Sequence, residues 1–115
     1  MIQTADRTED NRVFDRFSAR FPAKLKDSRE DYGENIQVRD ASAEGLRIFS
    51  KERFYLNDSV ALEIKLPQNK HPLNLHGEVV WARQMESDVW DIGLRFHHIN
   101  LFVMSRLYES VVKAQ

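Results

Sequence analysis

Apolar and polar side chains alternate along most of this chain. In Phe17-Ser-Ala-Arg-Phe-Pro-Ala-Lys-Leu-Lys26, residues Phe17, Ala19, Phe21, Ala23 and Leu25 fall on one face and Ser18, Arg20, Pro22, Lys24 and Lys26 on the other. Successive side chains of an extended strand point to opposite faces, so this segment predicts a half-buried strand. Pro22, which has no N–H to donate, suggests an edge or a bulge. The period of two recurs in Ile36 and Val38, in Leu46 and Ile48, and in Val60, Leu62, Ile64 and Leu66. It continues in Leu73, Leu75, Val79 and Trp81, and in Trp90, Ile92, Leu94 and Phe96, giving six short strands in all. Turn residues separate them: Asp31-Tyr-Gly33, Asn57-Asp58, the Pro67 to Pro72 loop and Glu86-Ser-Asp88. Many short strands at close spacing favour a small barrel or sandwich.

After Phe96 the period changes. Asn100 is a candidate N-cap for a helix from Leu101 to Val112, in which Val103, Leu107 and Val111 form one row with Met104 and Tyr108 beside it. Upstream of the strands, residues Met1 to Asn11 alternate in charge and carry one large aliphatic side chain, Ile2. Such a stretch buries too little surface to offset its ordering entropy and is read as a mobile tail, residues 1–11, before a single domain, residues 12–115. The architecture expected is mainly β: a six-stranded antiparallel β-barrel with a C-terminal α-helix.

Composition narrows the chemistry. A chain of 115 residues with 42% apolar content closes one hydrophobic core and has little room for two. It contains no cysteine, which removes disulfides, thiolate nucleophiles and sulfur-ligated zinc and agrees with a reducing compartment. No apolar run approaches a membrane span and the first ten residues are too polar for a signal peptide, so the expectation is a cytoplasmic protein without membrane insertion. With 17 basic against 18 acidic side chains, the polyelectrolyte attraction that drives bulk binding to DNA or RNA is missing. An anionic ligand must then be held by a local basic cluster.

The four histidines do not converge in the sequence pattern: His71 and His76 lie in or beside a turn, and the adjacent His97 and His98 point to opposite faces of a strand end. They read as ordinary surface or strand-end residues, with no metal site and no catalytic residue. No nucleophile elbow, His-Glu-x-x-His motif or phosphate-cradling glycine loop is present, since all 4 glycines stand alone.

Two segments stand out. Asn11-Arg-Val-Phe-Asp-Arg16 places Arg12 and Arg16 four residues apart just before the first strand. Asp40-Ala-Ser-Ala-Glu-Gly45 ends the second, where an extended backbone would project Asp40 and Ser42 to one side and Gly45 would permit a positive-φ turn. By itself the second segment also suits a hairpin turn whose Asp and Ser satisfy local backbone groups.

In this order the two segments resemble the two-part signature of the PilZ domain family. The resemblance continues through Pro22, Gly77-Glu-Val-Val-Trp-Ala-Arg83 and Ile92-Gly-Leu-Arg-Phe96, and covers Arg12 to Val112. It departs from the usual pattern at Asn11, where a further basic residue is frequent, and at Asp15, a carboxylate between the two arginines. The family resemblance implies a non-enzymatic receptor for cyclic di-GMP, with no other cofactor, that changes conformation on binding and signals to a downstream protein. Arg12 and Arg16 would grip guanine edges and phosphates, Asp40 and Ser42 would receive a base edge, Gly45 would keep the backbone close, and Trp81 would be an aromatic near the ligand. The alternative is a PilZ-like interaction module that does not bind the nucleotide.

Overall fold

The computed structural model describes residues 15–67 and 69–113. The tail expected at residues 1–11 and the first motif arginine, Arg12, lie outside the described residues. Strands form where the alternation predicts them: β1 (Phe17–Leu25), β2 (Ile36–Ala41), β3 (Gly45–Ser50), β4 (Ser59–Ile64), β5 (Leu73–Glu86) and β6 (Val89–Arg95). All pairings are antiparallel, in the order β1-β2-β3-β6-β5-β4, and β4 pairs back onto β1, closing the sheet into a barrel. Each described strand thus has a neighbour on both sides, β4 meeting β1 through the pairs Ala23–Ile64, Lys24–Glu63 and Leu25–Leu62.

Inside the barrel lie Ala19, Phe21 and Ala23 of β1, Ile36 and Val38 of β2, Leu46 and Ile48 of β3, and Val60, Leu62 and Ile64 of β4. Leu73, Leu75 and Val79 of β5 and Ile92 and Leu94 of β6 join them, with Phe54, Leu66, Phe96 and the helix residues Val103 and Leu107 in the same core. Burying each large aliphatic side chain contributes about 1.5–3 kcal/mol, which is the main term holding the ring together. The expected turns are present. Gly33 takes φ 81° and its N–H donates to the Ala23 carbonyl at 2.9 Å. Asn57 takes φ 72°, and Asp58 Oδ2 accepts the Tyr55 N–H at 2.8 Å.

A helix, α1 (Leu101–Lys113), follows β6. Asn100 caps it, its Oδ1 accepting the Val103 N–H at 3.0 Å, and this satisfies a donor that the first turn cannot pair internally. Val103 and Leu107 are buried, and Tyr108 meets Phe17 of β1 edge to face with ring centroids 5.4 Å apart.

Among the register shifts of the sheet, the bulges on β5 at Val80 and on β2 at Arg39 shape the outer surface. On β5, Val79 pairs with Leu94 but Trp81 pairs with the next residue back, Gly93, leaving Val80 unmatched. Ala82 then takes the inward position opposite Ile92. Trp81, expected on the same face as Val79, therefore stands outside with Val80. On β2, Val38 pairs with Ile48 and Asp40 with Arg47, so Arg39 is the extra residue and turns outward together with Asp40. A bulge inserts one residue, bends the strand and flips everything beyond it to the other face, and small barrels use bulges to curve.

Candidate functional site

The two bulges face each other across β3 and β6. Between them lies a groove of about 520 Å³ whose lining includes Arg16, Asp40, Gly45, Arg47, Trp81, Gly93 and Arg95. A second groove of about 320 Å³, lined by Ser18, Arg20 and Arg39, shares Arg16, Asp40 and Arg47 with the first. Both volumes fall in or near the size range of about 300–1,000 Å³ typical of small-molecule sites.

Between and beside the grooves runs a chain of alternating charges. Arg16 Nε donates to Asp40 Oδ1 at 2.7 Å, and Arg47 Nη1 donates to Asp40 Oδ2 at 3.3 Å. The other edge of Arg47 is forked onto Asp91, Nε to Oδ1 at 2.9 Å and Nη2 to Oδ2 at 3.1 Å. Arg83 Nη2 closes the series on Asp91 Oδ2 at 2.7 Å. Asp91 is fully buried, which by itself would raise its carboxyl, yet the hydrogen bonds and charges of Arg47 and Arg83 outweigh burial and hold it below the usual carboxylate range. Its hydrogen bond to Arg47 raises that guanidinium in turn. The Arg47 and Arg39 guanidiniums also lie over the ring of Phe49, 5.4 and 4.5 Å from its centroid.

Glycines set the depth of the groove. A Cβ at Gly45 would overlap the Leu94 carbonyl oxygen, so β3 and β6 can come this close only with glycine here. Gly45 does not use the positive φ that a glycine would permit there; among the glycines only Gly33 does. Close backbone approach, not turn geometry, accounts for it. At Gly93 a Cβ would overlap the Trp81 indole, which lies across that position while 41% of the residue stays exposed.

Of the residues singled out by sequence, Arg16, Asp40, Gly45 and Trp81 come together at this groove. Ser42 does not line either groove: it is fully buried, its Oγ accepts the Glu44 N–H at 3.1 Å and its N–H donates to the Gly45 carbonyl at 2.9 Å. The Ser42 to Gly45 turn is pinned from behind, where the Ala43 and Glu44 carbonyls accept the N–H groups of Asn100 and Phe96 at 2.7 and 2.9 Å. Arg47, Asp91 and Gly93 were not singled out by sequence. Arg47 carried one available signal, since it falls on the polar face of β3 two residues after Gly45.

The histidines depart from expectation in one respect. His76 and His97 do meet, with ring centroids 5.6 Å apart, each two residues beyond the β5–β6 pair Glu78 and Arg95. Among the described residues no three His, Asp or Glu side chains gather where they could hold a metal ion. No helix among them is long and apolar enough to cross a membrane.

Comparison with known proteins places this chain in a family. The family model described as "PilZ domain" matches residues 10–111. Comparison with curated protein sequences returns no match. Among solved structures the chain is similar to the Bacillus subtilis inhibitor of motility MotI/DgrA, at 18% identity and a TM-score of 0.62, over 90% of this chain and 51% of that one. The chain thus spans about half the length of that protein. It is also similar to the PilZ domain of YcgR from Escherichia coli, solved with c-di-GMP, at 12% identity and a TM-score of 0.62, over 91% of each chain. At such identities the structural likeness is one of fold, and the family model carries the assignment. The chain belongs to the PilZ domain family.

Proposed function

We propose that this chain is a cyclic di-GMP receptor that binds the nucleotide without turning it over and passes the signal to a partner protein. The observation that carries the reading is the convergence of Arg16, Asp40, Gly45 and Trp81, from three separate stretches of sequence, on the groove of about 520 Å³. The family membership and the c-di-GMP found with the YcgR domain support it.

The chemistry of the groove suits the ligand. A guanidinium can fork onto guanine O6 and N7 or onto a phosphate, which suits Arg16 and, by the resemblance, Arg12. The Asp40 carboxylate accepts the N–H donors of a guanine edge, and the indole of Trp81 offers an exposed surface on which a base can stack. Arg16 is held by Asp40 in the free protein, so the ligand exchanges this pair for contacts of its own with both residues. Ser42 contributes by fixing the turn that carries Glu44 and Gly45.

Calorimetric titration with cyclic di-GMP tests the reading. Saturable binding is expected, with the stoichiometry reporting whether one ligand or an intercalated pair is held. Absence of binding at physiological salt would instead favour an interaction module that does not respond to the nucleotide. Recovery of the dinucleotide intact after incubation with the protein is the expected result of the turnover test.

A further inference from the structure

The Arg16–Asp40–Arg47–Asp91–Arg83 series has one sealed member, Asp91, and its other members reach solvent. The side chains of Arg16, Asp40 and Arg47 are 26%, 21% and 35% exposed, while Asp91 is sealed in the wall of β6. Asp91 does not line either groove. Yet it holds two of the three donor nitrogens of Arg47, leaving only Nη1 to reach Asp40. A planar guanidinium forked onto one carboxylate has its remaining edge aimed in a fixed direction, which a lysine ammonium cannot reproduce.

We propose that Asp91 is the positioning residue of the groove: through Arg47 it sets the carboxylate of Asp40, and through Asp40 the guanidinium of Arg16. Asp40 Oδ2 is engaged by Arg47, so Oδ1 is the oxygen that meets Arg16. Without the Asp91 carboxylate, Arg47 has Asp40 as its remaining anionic partner and turns its whole fork onto it. Both Asp40 oxygens are then engaged from the β3 side, and Arg16 loses its place. Arg83 is the second counter-charge on Asp91, so the anchor remains paired when Arg47 is altered.

The ligand half of the test rests on the cyclic di-GMP reading and the other half does not. In the ligand-free protein, the arginine ¹⁵Nε–Hε resonance of Arg16 is compared between wild type, Asp91→Asn and Arg47→Lys. Both substitutions are expected to move it, although neither residue touches Arg16. Cyclic di-GMP affinity is expected to fall about tenfold in each, the scale of coupling between residues that share a network. In an Asp40→Ala background, Asp91→Asn is expected to change affinity less than about twofold, because the route from Asp91 to the ligand is then already cut. An independent structural effect would multiply with Asp40→Ala instead. An unmoved Arg16 resonance in folded Arg47→Lys, or fully multiplicative affinity losses, overturns the proposal. Should Asp91→Asn fail to fold, Arg47→Lys, which leaves Asp91 paired with Arg83, decides alone. Should the wild type not bind the dinucleotide, the functional reading falls while the resonance comparison still decides the positioning role.

Discussion

Trp81 lies across Gly93, its indole filling the volume that a side chain at position 93 would need. The arrangement depends on the β5 bulge, which matches Trp81 with Gly93 and turns the indole outward. An aromatic ring set on a glycine of the neighbouring strand is braced by backbone beneath and open to the groove above. That arrangement suits the base-stacking role proposed for Trp81.

A methyl at position 93 would meet Trp81 Cδ1 at 2.8 Å and other indole atoms closer still, so Gly93→Ala should lift the ring away. Because Trp81 is exposed, it can swing out without disturbing the core, and the melting temperature should change little. Cyclic di-GMP affinity should fall by about 1–3 kcal/mol, the worth of one base–aromatic stack. Gly45→Ala should behave oppositely, since its Cβ meets backbone at Leu94 that cannot yield, and should destabilise the fold by about 1–3 kcal/mol or more. Thermal melts beside calorimetric titrations separate the two cases. Wild-type affinity in Gly93→Ala would remove Trp81 from the ligand contact.

Arg12→Ala and Arg16→Ala should each weaken binding by about 1–3 kcal/mol with the circular dichroism unchanged, the value of a bidentate arginine–guanine contact. Asp40→Ala should cost more than Ser42→Ala, because charge-assisted hydrogen bonds are roughly twice as strong as neutral ones. The reverse order would mean that the turn held by Ser42 matters more than the carboxylate beside the groove.

Selectivity should follow from the same contacts. Cyclic di-AMP presents an amino donor where guanine presents O6, which leaves an arginine fork facing a mismatched edge and Asp40 without the guanine donors. Competition titrations should therefore show a large preference for the guanine dinucleotide. Equal affinities would show that only phosphate charge is read.

Stability should fall in acid through Asp91. The folded protein holds this carboxyl below its unfolded value, so as pH drops the unfolded chain takes up the proton first and the folded state loses its advantage. The contribution is complete above the unfolded value of about 3.9 and is lost progressively below it. Glu63 acts in the same direction, held low by the Asp27 N–H at 2.9 Å and then by the Tyr32 hydroxyl at 2.8 Å. Urea denaturation between pH 5 and 2, as an order-of-magnitude window set by these carboxyl values, should show a shallower pH dependence for Asp91→Asn than for wild type. Identical slopes would contradict the linkage.

The sequence by itself determined the strand count, the helix with its Asn100 cap, and most of the core. Period-two alternation and turn residues are local signals, and a residue such as Ile48 or Leu62 has only one face on which its burial is favourable. It also carried the pairing of motif segments, since Arg16 and Asp40 stand at fixed offsets from the strands that present them. The structure alone decided the bulges at Arg39 and Val80, because a bulge answers the curvature needed to close six strands and leaves no mark in the alternation before it. Everything that depends on those bulges was therefore out of reach of the sequence: the outward turn of Trp81, the seat for it at Gly93, and the meeting of Asp40 with Arg47. Asp91 was the least legible of all. An acidic residue between Trp90 and Ile92 reads as an ordinary solvent-facing position of a strand. It is buried and charged only because two arginines close over it, Arg83 from the other arm of its own hairpin and Arg47 from β3, which the barrel brings alongside from a distant stretch of chain.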